Sequence, residues 1–398
     1  MRAQLIVSDC LAAMRAMPKN SIDAIVTDPP YGIGFMNSQW DAAVPGEDWA
    51  RECLRVLKPG GHLIAFAATR TIHRLTVALE EAQFEIRDQI AHIQFQGFPK
   101  SLDASKAIDA LHGAERTGGF IRAGQPGGGI GLGFNAQCDR CSKWKLSPDP
   151  CTCKDSGPAT PDAQRFAGYG TALKPAFEPA VLARKPLSGT VAANCLEWGT
   201  GCLSIDKCRY AYGDPAWPGP QERTGEIRRG RTDTSIYAAG FAKETQSHSM
   251  SDLGRWPANI YACPKPSRSE REQGCEELPG RTGAEAVERK EGTAGLDNPR
   301  AGAGRTASEV KNYHPTVKPV RLMRWLVRLV SPPALDGVPP VVLDPFLGSG
   351  TTGVAAMAEG VRFIGIEMSP EYMDIAEARM IDTVGALFSN QIQRADRP

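Results

Sequence analysis

A doubly wound α/β fold built on a parallel sheet is what this sequence predicts, and three observations predict it. Short aliphatic runs alternate with helical stretches over residues 1–96, and the same alternation resumes after 314. Between a late strand and the helix that follows it lies a glycine-rich loop. The 398 residues allow roughly two to three domains, and a hydrophobic content of 41% suffices for a sizeable core.

The elements follow in order. Leu5-Ile6-Val7 reads as a strand ending at Ser8-Asp9, with a helix over 10–17. Ile22-Asp23-Ala24-Ile25-Val26-Thr27 is the next strand. A helix over 49–57 stops at Lys58-Pro59-Gly60-Gly61, where proline and glycine cannot continue it. A strand over 62–66, a helix over 71–82 and an extended run over 84–95 complete this part. After 317 come an amphipathic helix over 320–330, a buried strand over 341–343 and a helix over 352–359. A strand over 361–366 and a helix over 371–381 close the series. The two strands and helices after 317 make a half-domain that cannot stand alone, so 1–96 and 314–385 are expected to fold together, with 97–313 inserted and 386–398 as a tail.

In the inserted region glycine and proline cluster at 124–131, and no internal repeat is found. Loops are expected at 223–234 and 280–305, where charge and glycine outweigh apolar residues. Cys138-x-x-Cys141 followed by Cys151-x-Cys153 supplies four thiolates, a spacing that suits a tetrahedral structural zinc. A zinc knuckle at 138–153 would order a segment with little core of its own. Cys195, Cys202 and Cys208 are more loosely spaced and read as ordinary thiols.

With a net charge of +1, any nucleic-acid binding must come from local patches. Candidates are Arg223, Arg228, Arg229 and Arg231, and again Arg300, Arg305 and Lys311. Trp144, Trp198, Trp217 and Trp256 could stack on bases or fill a core. No apolar run of about 18 residues exists, which excludes a membrane helix. The first residues show no apolar leader, and 11 cysteines then point to reduced thiols or metal ligands in a cytoplasmic setting.

Two motifs carry chemistry. Asp28-Pro29-Pro30-Tyr31 ends the second strand. Its prolines have fixed φ and no N–H, so the turn is stiff. An acid on one side and an aromatic on the other make a pocket for a planar amine. At the other end, Asp344-Pro345-Phe346-Leu347-Gly348-Ser349-Gly350-Thr351-Thr352-Gly353 leaves a strand and opens a helix. Gly348, Gly350 and Gly353 match G-x-G-x-x-G, with Glu367 about 20 residues on, as in a dinucleotide site. Asp344 would sit badly beside a pyrophosphate, however, and suits the ammonium and sulfonium of S-adenosylmethionine. Both cofactors are read here, with S-adenosylmethionine favoured. Glu367 is placed to accept hydrogen bonds from ribose hydroxyls.

Together, the early Asp28-Pro29-Pro30-Tyr31 and the late Asp344 loop resemble the motifs of β-class amino-DNA methyltransferases. The resemblance covers about 1–110 and 310–385. Gly97-Phe98-Pro99-Lys100-Ser101 and the segment 170–179 resemble phage and prophage DNA methylases, although many relatives have His where Phe177 stands. What the resemblance implies is a Rossmann-like S-adenosylmethionine-dependent methyltransferase with circularly permuted motif order and a large inserted target-recognition region. Asp28, Pro29, Pro30 and Tyr31 would be catalytic, within a catalytic half at 1–96. Asp9, Thr316, Lys318, Asp344, Pro345, Phe346, Gly348, Gly350, Thr351 and Glu367 would bind the cofactor, most of them in a cofactor half at 314–385. His314-Pro315-Thr316-Val317-Lys318-Pro319 corresponds to a segment that packs on the methionine moiety.

Double-stranded DNA is the implied partner, in a restriction-modification setting, and a homodimer is implied as well. Asp rather than Ser at the first motif position favours adenine N6 over cytosine N4. A rival of another class is a zinc-containing nucleic-acid-binding protein with a degenerate methyltransferase half. Intact acids at Asp28, Asp344 and Glu367 count against it.

Overall fold

The computed structural model describes residues 2–34, 41–97, 101–116, 157–218, 254–282, 285 and 309–395. The chain divides into two compact units, Met1–Ile93 with Phe177–Pro398, and Gln94–Ala176.

The larger unit begins with β1 (Ala3–Val7), α1 (Cys10–Ala16), β2 (Ile22–Thr27) and α2 (Glu47–Val56), then β3 (Leu57–Phe66), α3 (Ile72–Glu81) and β4 (Glu85–Ile93). In the smaller unit, α4 (Ala104–Leu111) and α5 (Pro161–Arg165) are tied by Asp109. This carboxylate accepts from Arg116 Nε at 2.6 Å, from the Ala159 and Thr160 N–H groups at 3.0 Å, and from the Thr160 hydroxyl at 2.9 Å.

The larger unit resumes with β5 (Phe177–Arg184), α6 (Val191–Trp198), β6 (Ile260–Ala262) and α7 (Arg268–Glu272). It ends with α8 (Val320–Val330), β7 (Val341–Asp344), α9 (Thr351–Glu359), β8 (Arg362–Glu367), α10 (Pro370–Val384) and β9 (Ile392–Ala395).

Nine strands among the described residues form one sheet in the order β6-β4-β5-β3-β2-β7-β8-β1-β9. All neighbours are parallel except β5, which runs antiparallel to both β3 and β4. Alternate residues of the central strands feed two cores. Ala24, Val26, Ile64, Phe66 and Val342 pack on one face with α8, α9 and α10. Ile25, Leu63, Ala65 and Leu343 pack on the other with α1, α2 and α3. A strand buried on both sides is mostly apolar, and β2 is buried at all its positions, with its two polar residues, Asp23 and Thr27, hydrogen-bonded to Lys58 and Asp344.

Helix α8 shows why the sequence pattern was readable. Leu322, Met323, Leu326, Val327, Leu329 and Val330 are buried, while Arg324 and Arg328 reach out to Glu359 of α9 at 2.8 and 2.7 Å.

The domain boundaries differ from those expected. Residues 97–313 do not form one inserted body, because Phe177–Arg184 and Ile260–Ala262 are strands of the main sheet. Proline at 179 hides β5 in the sequence, since proline removes a ladder donor. Here Pro179 pairs with Ala91, and its carbonyl accepts from Ala67 N–H at 3.0 Å. The expected tail contains β9, which pairs with β1 from Ala3↔Ile392 to Ile6↔Ala395. Four residues with an arginine among them gave little strand signal.

Hydrogen exchange followed by mass spectrometry should find the amides of Phe177–Arg184 as protected as those of β2 and β3. Exchange within seconds across that segment would show that it does not run inside the sheet.

Candidate active site

The site lies where the order of the sheet reverses. From β2 the chain builds outward through β3; from β7 it builds the other way through β8. Parallel sheets open a crevice at the carboxyl ends of such a pair. Strands β2 and β7 pair at Ala24↔Val342 and Ile25↔Leu343, so Asp28 and Asp344 emerge side by side. The Thr27 hydroxyl, fully buried, donates to Asp344 Oδ1 at 2.6 Å.

A cavity of about 320 Å³ occupies this crevice. Of the residues singled out by sequence, Asp9, Asp28, Pro30, Thr316, Lys318, Asp344, Pro345, Phe346, Gly348, Thr351 and Glu367 line it. Pro29, Tyr31 and Gly350 do not belong to its wall. Gly350 serves packing instead: a Cβ there would stand 2.7 Å from Ala376 Cα of α10, and its φ is +79°. Gly348 has a φ of +54°, and a Cβ would meet His314 Nε2 at 2.8 Å.

Around Asp28 every group is held. Its Oδ1 accepts from the Tyr31 hydroxyl at 2.8 Å and its Oδ2 from Lys318 Nζ at 2.6 Å. Lys318 also donates to the Tyr31 oxygen at 2.9 Å and lies 3.5 Å from Glu178 Oε2. Lys318 was expected against the cofactor's methionine moiety; its ammonium is committed to Asp28 and Glu178. Burial raises the Asp28 acid above the ordinary carboxylate range, against the pull of Lys318. Burial alone would lower Lys318, but the two carboxylates outweigh it and hold the ammonium above its usual value. At Glu178 burial opposes ionisation and is overcome chiefly by Lys318, which brings that acid down to about 2.

The turn beyond Tyr31 is fixed by Asp41, which is 1% exposed. Its carboxylate accepts from the N–H groups of Tyr31 at 2.6 Å, Gly32 at 2.9 Å and Ile33 at 3.3 Å.

On the other side, Glu367 accepts from Gly348 N–H at 2.8 Å and Ser369 N–H at 2.9 Å, and burial raises its acid above the usual range. Asp344 is pushed up to about 6, first by burial, against hydrogen bonds from Thr27, Thr352 and the Phe346 N–H. Arg379 Nη1 anchors the glycine-rich loop through the Ser349 carbonyl at 2.6 Å and the Thr351 hydroxyl at 3.0 Å. His314 packs edge-on against Tyr372, and burial lowers its pKa to about 3, so the ring is neutral. Asp9 caps α1 by accepting from Ala12 N–H at 3.0 Å.

The cavity wall therefore carries Asp9, Asp28, Asp344 and Glu367 against one cationic side chain, Lys318, already paired. A pyrophosphate would face carboxylates here. A ligand bearing cationic charge and hydroxyls, with apolar parts for Met323, Phe346, Leu347 and Ile366, fits the wall.

A family model described as DNA methylase, N6_N4_Mtase, matches residues 22–378. The chain belongs to the N6/N4 DNA methylase family. Type II methyltransferase M.HinfI of Haemophilus influenzae is 44% identical over 72 residues, 18% of this chain and 19% of that protein. DNA adenine methyltransferase YhdJ of Escherichia coli is 43% identical over 67 residues, 17% and 21% of the two chains. These shared segments thus span about a fifth of each relative. Type II methyltransferase M.HindIII of Haemophilus influenzae aligns across 94% of this chain and 93% of its own, at 22% identity. Among solved structures, PvuII DNA methyltransferase (cytosine-N4-specific) is similar at a TM-score of 0.44 and 13% identity, covering 99% of this chain and 95% of that one. An M1.HpyAVI–SAM complex is similar at 0.39 and 16%, covering 95% and 99%.

For this N6/N4 methylase, the cysteines expected to hold zinc, Cys138, Cys141, Cys151 and Cys153, lie outside the described residues, as do Trp144 and the arginines at 223–231, 300 and 305. Among the described residues no group of three or more metal-ligating side chains is found. Nor is any described helix long and apolar enough to cross a membrane. Trp217 packs on Tyr210 at 5.7 Å, whereas Trp256 is 63% exposed under Arg209. Sequence reading missed Asp41, His92, Glu178 and Arg379. Only Glu178 had a signal, since it falls inside the segment 170–179 that resembles phage methylases.

A raised acid is stabilising when protonated, so the contribution of Asp344 is fully present below pH 4 and is lost as pH rises through about 6. The span corresponds to about 3 kcal/mol. Urea unfolding of wild type and Asp344→Asn between pH 4 and 7 should show that decline in the wild type and a flatter curve in the variant.

Proposed function

We propose that this methylase transfers a methyl group from S-adenosylmethionine to the N6 amino group of adenine in duplex DNA. The observation that carries the proposal is the convergence of Asp28, Asp344 and Glu367, from opposite ends of the chain, on one cavity. When bound, S-adenosylmethionine supplies an electrophilic methyl group. Asp344 and Glu367 would hold its cationic and hydroxyl groups, and Phe346, Met323 and Ile366 its apolar parts.

An exocyclic amine is a weak nucleophile because its lone pair is delocalised into the ring. The Asp28 carboxylate and the Pro29 carbonyl would accept its two N–H bonds, so that the nitrogen pyramidalises and exposes its lone pair. Carboxylate charge at that position would stabilise the positive charge that grows on nitrogen as the N–C bond forms and the methyl group's bond to sulfur breaks, leaving S-adenosylhomocysteine. Asp28 would take the proton that nitrogen loses. Tyr31 would face the flipped base, because an amine within a stacked duplex is out of reach. Asp at the first motif position, and the adenine named for YhdJ, support N6 over N4.

Within this reading, β2–β4 supply the acceptor side, β7, β8 and β1 the cofactor side, and residues between 97 and 313 the contacts to DNA. A homodimer, a cytoplasmic setting and a structural zinc on Cys138, Cys141, Cys151 and Cys153 complete it, the last resting on their spacing.

Duplex DNA incubated with the enzyme and labelled S-adenosylmethionine should yield N6-methyladenine on nucleoside analysis. N4-methylcytosine would move the acceptor to cytosine, and no incorporation would sink the proposal. Asp28→Ala should abolish transfer, by about 100-fold or more, while S-adenosylmethionine still binds in calorimetry. Elemental analysis should find one zinc per chain, and freely titratable thiols at all four cysteines in metal-free protein would refute that part.

A further inference from the structure

We infer that Glu178 is a positioning residue of this site, which takes over the Lys318 ammonium when an amino group docks on Asp28. The inference rests on the proposed transfer to an exocyclic amine and adds a residue to it.

Lys318 Nζ lies 2.6 Å from Asp28 Oδ2 and 3.5 Å from Glu178 Oε2, so a small movement changes its principal partner. The ammonium sits against two aromatic rings that suit a cation, Phe66 at 4.8 Å and Tyr31 at 5.4 Å. Glu178 is itself fixed. It sits in β5 opposite His92 of β4, whose Nδ1 is 3.8 Å from the same Oε2. The far side of that buried ring is held by the Cys263 carbonyl, 3.1 Å from Nε2.

The chemistry requires such a second carboxylate. With Lys318 on Asp28 alone, an incoming N–H competes with an ammonium for the acceptor. That cation would also stand beside a nitrogen acquiring positive charge, which opposes the transfer. Drawing the cation toward Glu178 frees Asp28 for the amine. Retaining Lys318 close by keeps Asp28 ionised in a buried place.

The sign of the pH effect follows from the charged groups that face the pair. These are Asp28 and Tyr31 after β2, His92 on β4, Cys263 and Lys265 after β6, and Asp344 on β7. Glu178 repels the Asp28 carboxylate and attracts the Lys318 ammonium, so it holds both groups protonated to higher pH. Removing its charge lowers both.

The test compares wild type, Glu178→Gln and Glu178→Asp in single-turnover methylation of duplex DNA across pH, with S-adenosylmethionine affinity by calorimetry and thermal melting beside it. In Glu178→Gln the rate should fall on the order of tenfold or more. Cofactor affinity should stay at its wild-type value, and both limbs of the pH profile should move to lower pH. The variant should remain folded at the assay temperature, although loss of the Lys318 ion pair lowers its melting point. Glu178→Asp, which keeps the charge, should return the limbs toward wild type. An unchanged rate and profile in Glu178→Gln overturns the inference, and so does a loss that comes with unfolding at the assay temperature and lost cofactor binding. A wild type that binds S-adenosylmethionine and methylates no DNA removes the underlying reading as well. An active wild type with an indifferent Glu178→Gln removes this inference alone.

Discussion

The pairing of β2 with β7 is the contact on which the rest of the structure depends. It joins the two ends of the chain through a short parallel ladder, Ala24↔Val342 and Ile25↔Leu343, extended by the buried Thr27–Asp344 hydrogen bond. Each half alone would present an open edge of unpaired N–H and C=O groups and two uncovered apolar faces. Paired, they place α1, α2 and α3 over one face and α8, α9 and α10 over the other, because the sheet winds away from the seam in opposite directions, through β3 on one side and through β8 and β1 on the other. The crevice at the carboxyl ends of β2 and β7 is a consequence of that winding.

The crevice is also where burial and charge conflict. Asp28, Asp344 and Glu367 are all raised above the usual carboxylate range by desolvation, and they are kept in place by different means. Glu367 and Asp344 rely on N–H and hydroxyl donors, which stabilise a carboxylate without adding a compensating cation. Asp28 alone has a lysine. The cofactor side is therefore left with uncompensated negative potential, which a positively charged ligand relieves. The acceptor side has its charge partly offset by Lys318, which Asp28 shares with Glu178, and this suits an uncharged amine. This division follows from which acids have a cation within reach, and it explains why one cavity can treat its two ends differently.

Both motifs were legible in the sequence because each is a contiguous run whose function lies in local backbone geometry. Asp28-Pro29-Pro30-Tyr31 needs fixed φ values, and the loop after Asp344 needs positive φ at Gly348 and Gly350; residue type alone announces these requirements. Helix α8 was legible for a similar reason, its burial following the helical period. What the sequence hid was contact between distant residues. Asp41 gathers three N–H groups from the turn, yet reads as one acid among many. Arg379 looks like a surface residue of a closing helix, yet is 3% exposed and holds the glycine-rich loop. Lys318 and Asp28 were each found, but their pairing was not, since nothing local links two residues so far apart in the chain.

Strand β5 accounts for how a long excursion coexists with so tightly specified a sheet. It is the antiparallel member, lying between β3 and β4, and its first residue pairs with the last of β4 at Ile93↔Phe177. One step further out, Gln94 N–H donates to the Ala176 carbonyl at 2.7 Å. The chain thus leaves and re-enters the sheet at hydrogen-bonded neighbours, as in a hairpin whose loop has become a unit of its own. Antiparallel neighbours need no crossover, so the length of the excursion places no demand on the sheet, and the entropy of closing it grows only slowly with length. A parallel strand in that position would have required a covering helix of matched length. Because β5 runs the other way, Glu178 stands at the start of the strand, at the same end of the sheet as the exits of β2 and β7. The reversal that tolerates the excursion therefore also delivers the second carboxylate to Lys318.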